Sequence, residues 1–73
     1  MGFHVQRKRF EAEELARETV HGFKDKTWTI PNVEVVSLLR NEGDQWWVYV
    51  LQVGDWVTGN EPALPGYDVV ASG

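Results

Sequence analysis

Hydrophobic and polar residues alternate along the first part of the chain. Over residues 3–10, FHVQRKRF, Phe3, Val5, Arg7 and Arg9 fall on one side of an extended chain, and His4, Gln6, Lys8 and Phe10 fall on the other. A period of two predicts a β-strand. Lys and Arg are common on the edge strands of a sheet, where they oppose aggregation, so we expect this strand to be an edge strand.

The period changes to that of a helix at Glu11. Apolar and small residues then recur on one stripe while charged residues face water, which predicts an amphipathic helix over residues 11–23. Acidic residues in its first turn are favourable beside the partial positive charge of a helix N-terminus, and Gly22 and Lys24 suit its C-terminal end. The predicted stripe comprises Ala12, Leu15, Ala16, Thr19, Val20 and Phe23.

Two later segments, 33–39 and 45–53, are rich in β-branched and aromatic residues. The residues Asn41-Glu42-Gly43-Asp44 between them favour a turn, so the two segments predict a β-hairpin. Adjacent strand residues point to opposite faces, so either Trp46 or Trp47 must face away from the main core. We expect the second strand to be central, and that exposed side to be a candidate contact patch, with Trp56 nearby.

Two further strands are weaker predictions, one at 56–58 and an edge strand at 67–70, separated by residues typical of a loop. With 73 residues the chain is long enough for one domain, which we expect to span residues 1–73. The predicted fold class is α+β, with an antiparallel sheet of three to five strands and one amphipathic helix packed on one face.

The composition indicates the cellular compartment in which we expect the protein. The chain contains no cysteine, and small domains from oxidising compartments usually carry disulfides. It also lacks an apolar run of roughly 20 residues and a secretory signal. We therefore expect a soluble protein of the cytoplasm with no membrane association.

Charge is distributed unevenly along the chain. All seven Lys and Arg residues lie within the first 40 residues. The same segment contains six acidic residues, so its net charge is +1. The remaining residues carry five acids and no Lys or Arg, so the net charge is −4. Phosphate contacts require several cations on one face, so direct nucleic-acid binding is disfavoured.

Candidate catalytic groups are few. His4 and His21 lack a metal-ligand spacing, Ser37 lies within a predicted strand, and Ser72 lies near the C-terminus. We interpret His4 as a strand side chain at the rim of the sheet. No glycine-rich phosphate-binding motif is present. We therefore expect a binding protein that is not an enzyme and uses neither a metal nor a cofactor.

The strongest remaining signal is the basic segment Gln6-Arg7-Lys8-Arg9-Phe10. Its arginines suit carboxylates on a partner, and the backbone of an edge strand could extend a partner's sheet. The tryptophans are a weaker candidate, because a base-stacking platform needs neighbouring cations and the Trp-bearing strands contain only Arg40.

The chain as a whole, from MGFHVQRKRF through DQWWVYVLQVGDW to GYDVVASG, resembles small bacteriophage-encoded inhibitors of host RNA polymerase. The resemblance implies a transcription regulator of the host bacterial cytoplasm that binds the largest, β′, subunit of RNA polymerase. It also implies interference with sigma factor engagement and promoter recognition. On this interpretation the contact residues are His4, Gln6, Arg7, Lys8, Arg9, Phe10, Glu42, Asp44 and Asp55, in a monomer.

Two other functions remain open at this stage. An acidic domain could imitate nucleic acid and inhibit a nuclease of a defence complex. Alternatively, Arg7, Lys8 and Arg9 with an exposed Trp could form a small nucleic-acid-binding domain.

Overall fold

The computed structural model describes residues 2–25, 33–55 and 64–73. Its elements, in chain order, are β1 (Gly2–Phe10), α1 (Glu13–Asp25), β2 (Val33–Glu42), β3 (Gln45–Gly54) and β4 (Asp68–Ser72). The strands form one sheet in the order β2-β3-β1-β4, and all neighbouring strands are antiparallel. The predicted α+β class, with one helix on one face of an antiparallel sheet, is confirmed.

The hairpin formed by β2 and β3 closes more tightly than the sequence predicts. Only Gly43 and Asp44 lie in the turn, between the paired residues Glu42 and Gln45. Both turn residues have positive φ, 56° and 62° respectively. Two positive φ values are typical of the two-residue turn whose twist matches that of the strands. Asp tolerates this conformation better than most side chains.

Strand β1 is internal, so the prediction that it lies at an edge was wrong. It pairs with β3 on one side and with β4 on the other. Both β1 and β2 run antiparallel to β3, so they are parallel to each other, and α1 connects them across the width of β3. The cations Arg7 and Arg9 therefore lie on a sheet face that is open to solvent and do not mark an edge of the sheet.

Strand β4 confirms the predicted C-terminal edge strand, although it begins one residue later and ends two residues later than expected. Its pairing with β1 is irregular between Val5 and Gln6. Two backbone hydrogen bonds between Phe3 and Gly73, of 2.9 and 3.0 Å, extend the pairing beyond the strand. The strand predicted at 56–58 lies outside the described residues.

Helix α1 begins two residues later than predicted and covers a small core. Ala16 and Val20 are buried against Val48 and Val50 of β3, with partly buried apolar residues around them. Leu15, which was predicted to face the core, is 55% exposed. The buried stripe of the helix is therefore narrower than the periodicity indicates. None of the described helices is long and apolar enough to cross a membrane.

The sheet thus has two different faces. The helix side contains the even-numbered residues of β1 and β3 and the odd-numbered residues of β2. The opposite face, which we call the open face, contains the odd-numbered residues of β1 and β3 and the even-numbered residues of β2.

Candidate functional site

The open face contains a cluster of two aromatic and three arginine side chains. Trp47 lies between Arg9 of β1 and Arg40 of β2, which are its direct neighbours across the sheet. Tyr49, two residues further along β3, lies beside Arg7. We call these five residues, Arg7, Arg9, Arg40, Trp47 and Tyr49, the aromatic–arginine cluster.

Arg7 contacts both aromatic rings of this cluster. Its guanidinium carbon lies 4.4 Å from the centroid of the Trp47 ring, within the range of a cation–π interaction. Its Nη1 donates a hydrogen bond of 3.2 Å to the Tyr49 hydroxyl. This hydrogen bond raises the pKa of the Arg7 guanidinium, and the carboxylates of Glu42 and Asp68 act in the same direction. The two aromatic rings are therefore held beside a permanent positive charge.

Large apolar side chains continue the open face beyond the cluster. Val36 and Leu38 of β2 are 56% and 46% exposed, and Phe3 of β1 is 42% exposed. Val5, Leu51 and Val53 lie on the same face and are partly exposed. A contiguous exposed apolar patch on a small protein is typical of an interaction surface.

Acidic residues balance the cations of this face. Glu34 and Glu42 of β2 and Asp68 of β4 occupy open-face positions in the sheet register. Glu42 forms an ion pair with Arg40, in which Glu42 Oε1 lies 3.1 Å from Arg40 Nε. Three arginines therefore share the face with three carboxylates, and the face has no excess of positive charge.

The predicted basic segment is divided between the two faces. Arg7 and Arg9 belong to the open face, whereas Lys8 and Phe10 point to the helix side. There the Lys8 ammonium lies 5.2 Å from the Phe10 ring and 5.9 Å from the Tyr67 ring. The three consecutive cations therefore do not form one patch.

Two of the predicted contact residues, His4 and Gln6, are internal. His4 is 3% exposed and Gln6 1% exposed, so His4 is not the rim residue that the sequence suggested. Gln6 Nε2 donates a 2.7 Å hydrogen bond to Oε1 of the buried Gln52, and the Leu64 N–H donates one of 2.9 Å to Gln6 Oε1. His4 Nδ1 lies 3.3 Å from Gln52 Oε1. The side chains of His4, Gln6 and Gln52 form hydrogen bonds in the interior, so a partner that binds the folded domain cannot contact them.

The acidic residues of the predicted contact set are dispersed. Asp44 immediately precedes β3 and Asp55 follows it, so they lie at opposite ends of a strand roughly 33 Å long. Glu42 alone belongs to the open face, close to the aromatic–arginine cluster. The structure thus brings Arg7, Arg9 and Glu42 together and separates them from the other predicted contact residues.

Sequence reasoning missed Tyr49, Arg40 and Asp68 as members of this face. Alternation indicated that one of Trp46 and Trp47 must face away from the core, and that expectation is confirmed, with Trp46 packed on the helix side. The expectation that the Trp-bearing strands have no cation nearby except Arg40 was wrong, because β1 places Arg7 and Arg9 beside β3. Trp28 and Trp56 lie outside the described residues.

A groove of about 300 Å³ lies between α1 and β2, lined by Arg17, Val20, His21, Ser37, Leu38 and Leu39. Within the described ranges, no group of three or more His, Asp or Glu residues converges as metal ligands would.

The chain was compared with known proteins by sequence and by structure. No protein-family model matches it. The comparisons with curated proteins and with solved structures gave no significant match either.

Proposed function

We propose that this chain is a non-catalytic, protein-binding regulator that contacts its partner through the open face. The observation that supports this most is the aromatic–arginine cluster, in which Trp47 and Tyr49 are partly exposed on the open face of the sheet among three arginines. Trp, Tyr and Arg are the residues most enriched at the energetic centres of protein interfaces. The neighbouring apolar residues supply the area that such a centre requires.

The charge of the open face favours a protein over a nucleic acid. Phosphate backbones attract surfaces on which Lys and Arg exceed the acids. Here Glu34, Glu42 and Asp68 offset the three arginines, and the whole chain has a net charge of −4. A protein surface of mixed charge complements this arrangement better than a uniformly negative polymer.

Single-stranded nucleic acid is a second candidate, because one observation favours it. Arg7 lies against Trp47, and aromatic rings beside arginines on a sheet can stack unpaired bases. A titration of RNA and DNA oligonucleotides at several salt concentrations tests this. Binding that weakens steeply with salt and is lost in Trp47→Ala would support the nucleic-acid function, whereas no binding at low salt would exclude it.

For the partner we propose bacterial RNA polymerase, contacted at its largest subunit, with interference in sigma factor engagement as the result. This step depends on the resemblance of the whole sequence to small phage-encoded polymerase inhibitors. The open face supplies a surface suited to the binding, and the acidic character of the chain suits a basic surface that normally receives sigma factor or DNA.

A capture experiment with paired variants tests both the face and the partner. Immobilised chain is incubated with purified polymerase core enzyme, and retained polymerase is measured for the wild type, Trp47→Ala, Arg9→Ala and Lys8→Ala. We expect Trp47→Ala to weaken binding by roughly 30-fold or more, as truncation of an interface centre does. Arg9→Ala should also weaken binding.

Lys8→Ala is the matched control, because Lys8 is the neighbouring cation but points to the helix side. Its binding should equal that of the wild type, and circular dichroism should show that all variants are folded. Equal losses for Arg9→Ala and Lys8→Ala would argue against the open face. Absence of polymerase binding by the wild type would refute the proposed partner, and unchanged promoter-dependent transcription in the presence of sigma factor would refute the proposed mode of inhibition.

A further inference from the structure

Strand β2 has an outer edge that no other described strand covers. It is the terminal strand on its side of the sheet, and its pairing with β3 is regular over its whole length. It contains neither proline nor lysine, and no bulge interrupts it, so it lacks three of the common features that protect an edge. The opposite edge, β4, is half as long and is irregular.

The hairpin turn determines which backbone groups of β2 are available. Glu42 and Gln45 flank a two-residue turn and therefore exchange both hydrogen bonds. Hydrogen-bonded pairs alternate along an antiparallel ladder, so the even-numbered residues of β2 bond to β3. The N–H and C=O groups of Val35, Ser37 and Leu39 consequently point away from the sheet.

The open-face side chains of β2 form a self-complementary series. In chain order they are Glu34, Val36, Leu38 and Arg40, that is, an acid, two apolar residues and a base. Val36 and Leu38 are both about half exposed. An antiparallel strand of the same sequence would place base opposite acid and apolar opposite apolar residue, which are the favourable cross-strand pairs.

We propose that two copies of this chain associate through their β2 strands, about a two-fold axis at Ser37, into a continuous eight-stranded antiparallel sheet. Ser37 lies opposite Ser37 of the second copy, and Val35 lies opposite Leu39. All of these residues direct their backbone groups outwards, so the ladder of hydrogen bonds continues across the axis. This dimer replaces the monomer expected from the sequence.

The charges select this register among the alternatives. It places Glu34 opposite Arg40 twice, once on each side of the axis. A shift that centres the axis on Leu38 would instead place Glu34 opposite Glu42, where like charges repel. An axis that passes between two residues, instead of through one, would bring open-face side chains opposite helix-side ones and is excluded by the pleat.

The groove between α1 and β2 is lined by residues of the same strand. It lies along the edge at which the second copy would pair, and its lining includes Ser37 and Leu39 of β2 as well as Arg17 and His21 of α1. The two-fold axis places the helix of the second copy on the same side of the extended sheet, so each copy would border the groove of the other.

Sedimentation equilibrium of the full chain tests the association. Over a roughly hundredfold range of concentration, the average mass should rise from one chain mass of 8.4 kDa towards twice that value. Glu34→Lys alone and Arg40→Glu alone should each weaken the dimer by roughly tenfold or more, because each places like charges opposite each other. The double variant Glu34→Lys/Arg40→Glu restores both pairs and should regain the dimer.

Glu18→Lys provides the matched control, because it makes the same change of charge on the exposed, outward side of α1. It should dimerise like the wild type. Trp47→Ala should also dimerise, so failure of the dimer and failure of the proposed partner binding can be told apart. A wild type that stays monomeric at every concentration, or single variants that dimerise as strongly as the wild type, would overturn the proposal.

Amide hydrogen exchange gives a second readout that does not depend on variants. The N–H groups of Val35, Ser37 and Leu39 should become protected as the protein concentration rises. Those of Val36 and Leu38 bond to β3 and should be protected at every concentration. Protection of Val35, Ser37 and Leu39 that does not change with concentration would contradict the proposed pairing.

Discussion

The internal position of Gln6 leads to a sharp prediction about stability. Gln6→Met keeps the length of the side chain but removes the hydrogen bonds of Gln6 to Gln52 Oε1 and to the Leu64 N–H. Each lost hydrogen bond costs about 0.5–1.5 kcal/mol, and a buried group left without its partner adds about 1–3 kcal/mol. Part of this cost is regained because Met is apolar, so we expect a net loss of about 2–4 kcal/mol in the free energy of unfolding.

A loss of this size is large for a domain of 73 residues, whose total stability is expected to be about 4–10 kcal/mol. It corresponds to a decrease of roughly 10–25 °C in the melting temperature. Thermal and urea unfolding, followed by circular dichroism and tryptophan fluorescence, measure it. Arg9→Met is the control, because Arg9 is exposed on the same strand, and its stability should change by no more than about 0.5 kcal/mol.

The double variant Gln6→Met/Gln52→Met distinguishes the loss of the buried hydrogen bond from a change in the packing of the two side chains. In the wild type, Gln52 Nε2 is buried without a hydrogen-bond partner among the residues that the structure describes, which is itself unfavourable. Replacing both amides removes Gln52 Nε2 and also removes both partners of the hydrogen bond between Gln6 and Gln52. The loss in the double variant should therefore be smaller than the sum of the two single losses by about 1 kcal/mol or more. A melting temperature for Gln6→Met equal to that of Arg9→Met would refute the internal role of Gln6.

Three further predictions concern the backbone and pH. Gly22→Ala should stabilise the protein by about 0.5–1 kcal/mol, because Gly22 lies within α1 and the space for a Cβ is open. Gly43→Ala should destabilise it by about 1 kcal/mol, because the φ of +56° in the hairpin turn is unfavourable for alanine. The urea midpoints of Gly22→Ala and Gly43→Ala should therefore shift in opposite directions from that of the wild type, and shifts in the same direction would contradict this reasoning. Burial raises the pKa of Tyr67, so the unfolded state releases this proton first and stability should fall as the pH rises through the tyrosine range. Tyr67→Phe should reduce that fall, and unfolding curves of both proteins above neutral pH measure the difference.

The local patterns of the sequence determine much of this fold. The period of two in residues 3–10 divides β1 correctly into the set with Phe3 and Arg7 and the set with His4 and Gln6. The change to a helical period at Glu11 predicts α1 to within two residues at each end. The turn residues at Gly43 and Asp44 predict the hairpin, because few residues accept positive φ. All of these features depend on interactions between near neighbours in the chain.

The lateral order of the strands was decided by tertiary structure alone. Periodicity shows that β1 has two different faces, but not that the connection through α1 places it between β3 and β4. That placement buries His4 and Gln6, since the face that looks like a polar rim in the sequence meets Gln52 inside the protein. The same placement brings Arg7 and Arg9 beside Trp47, although about 40 residues separate them in the chain. The sequence by itself therefore determined which side chains share a face of each strand, and only the packing of distant strands decided which faces meet, because that choice depends on burial summed over the whole sheet.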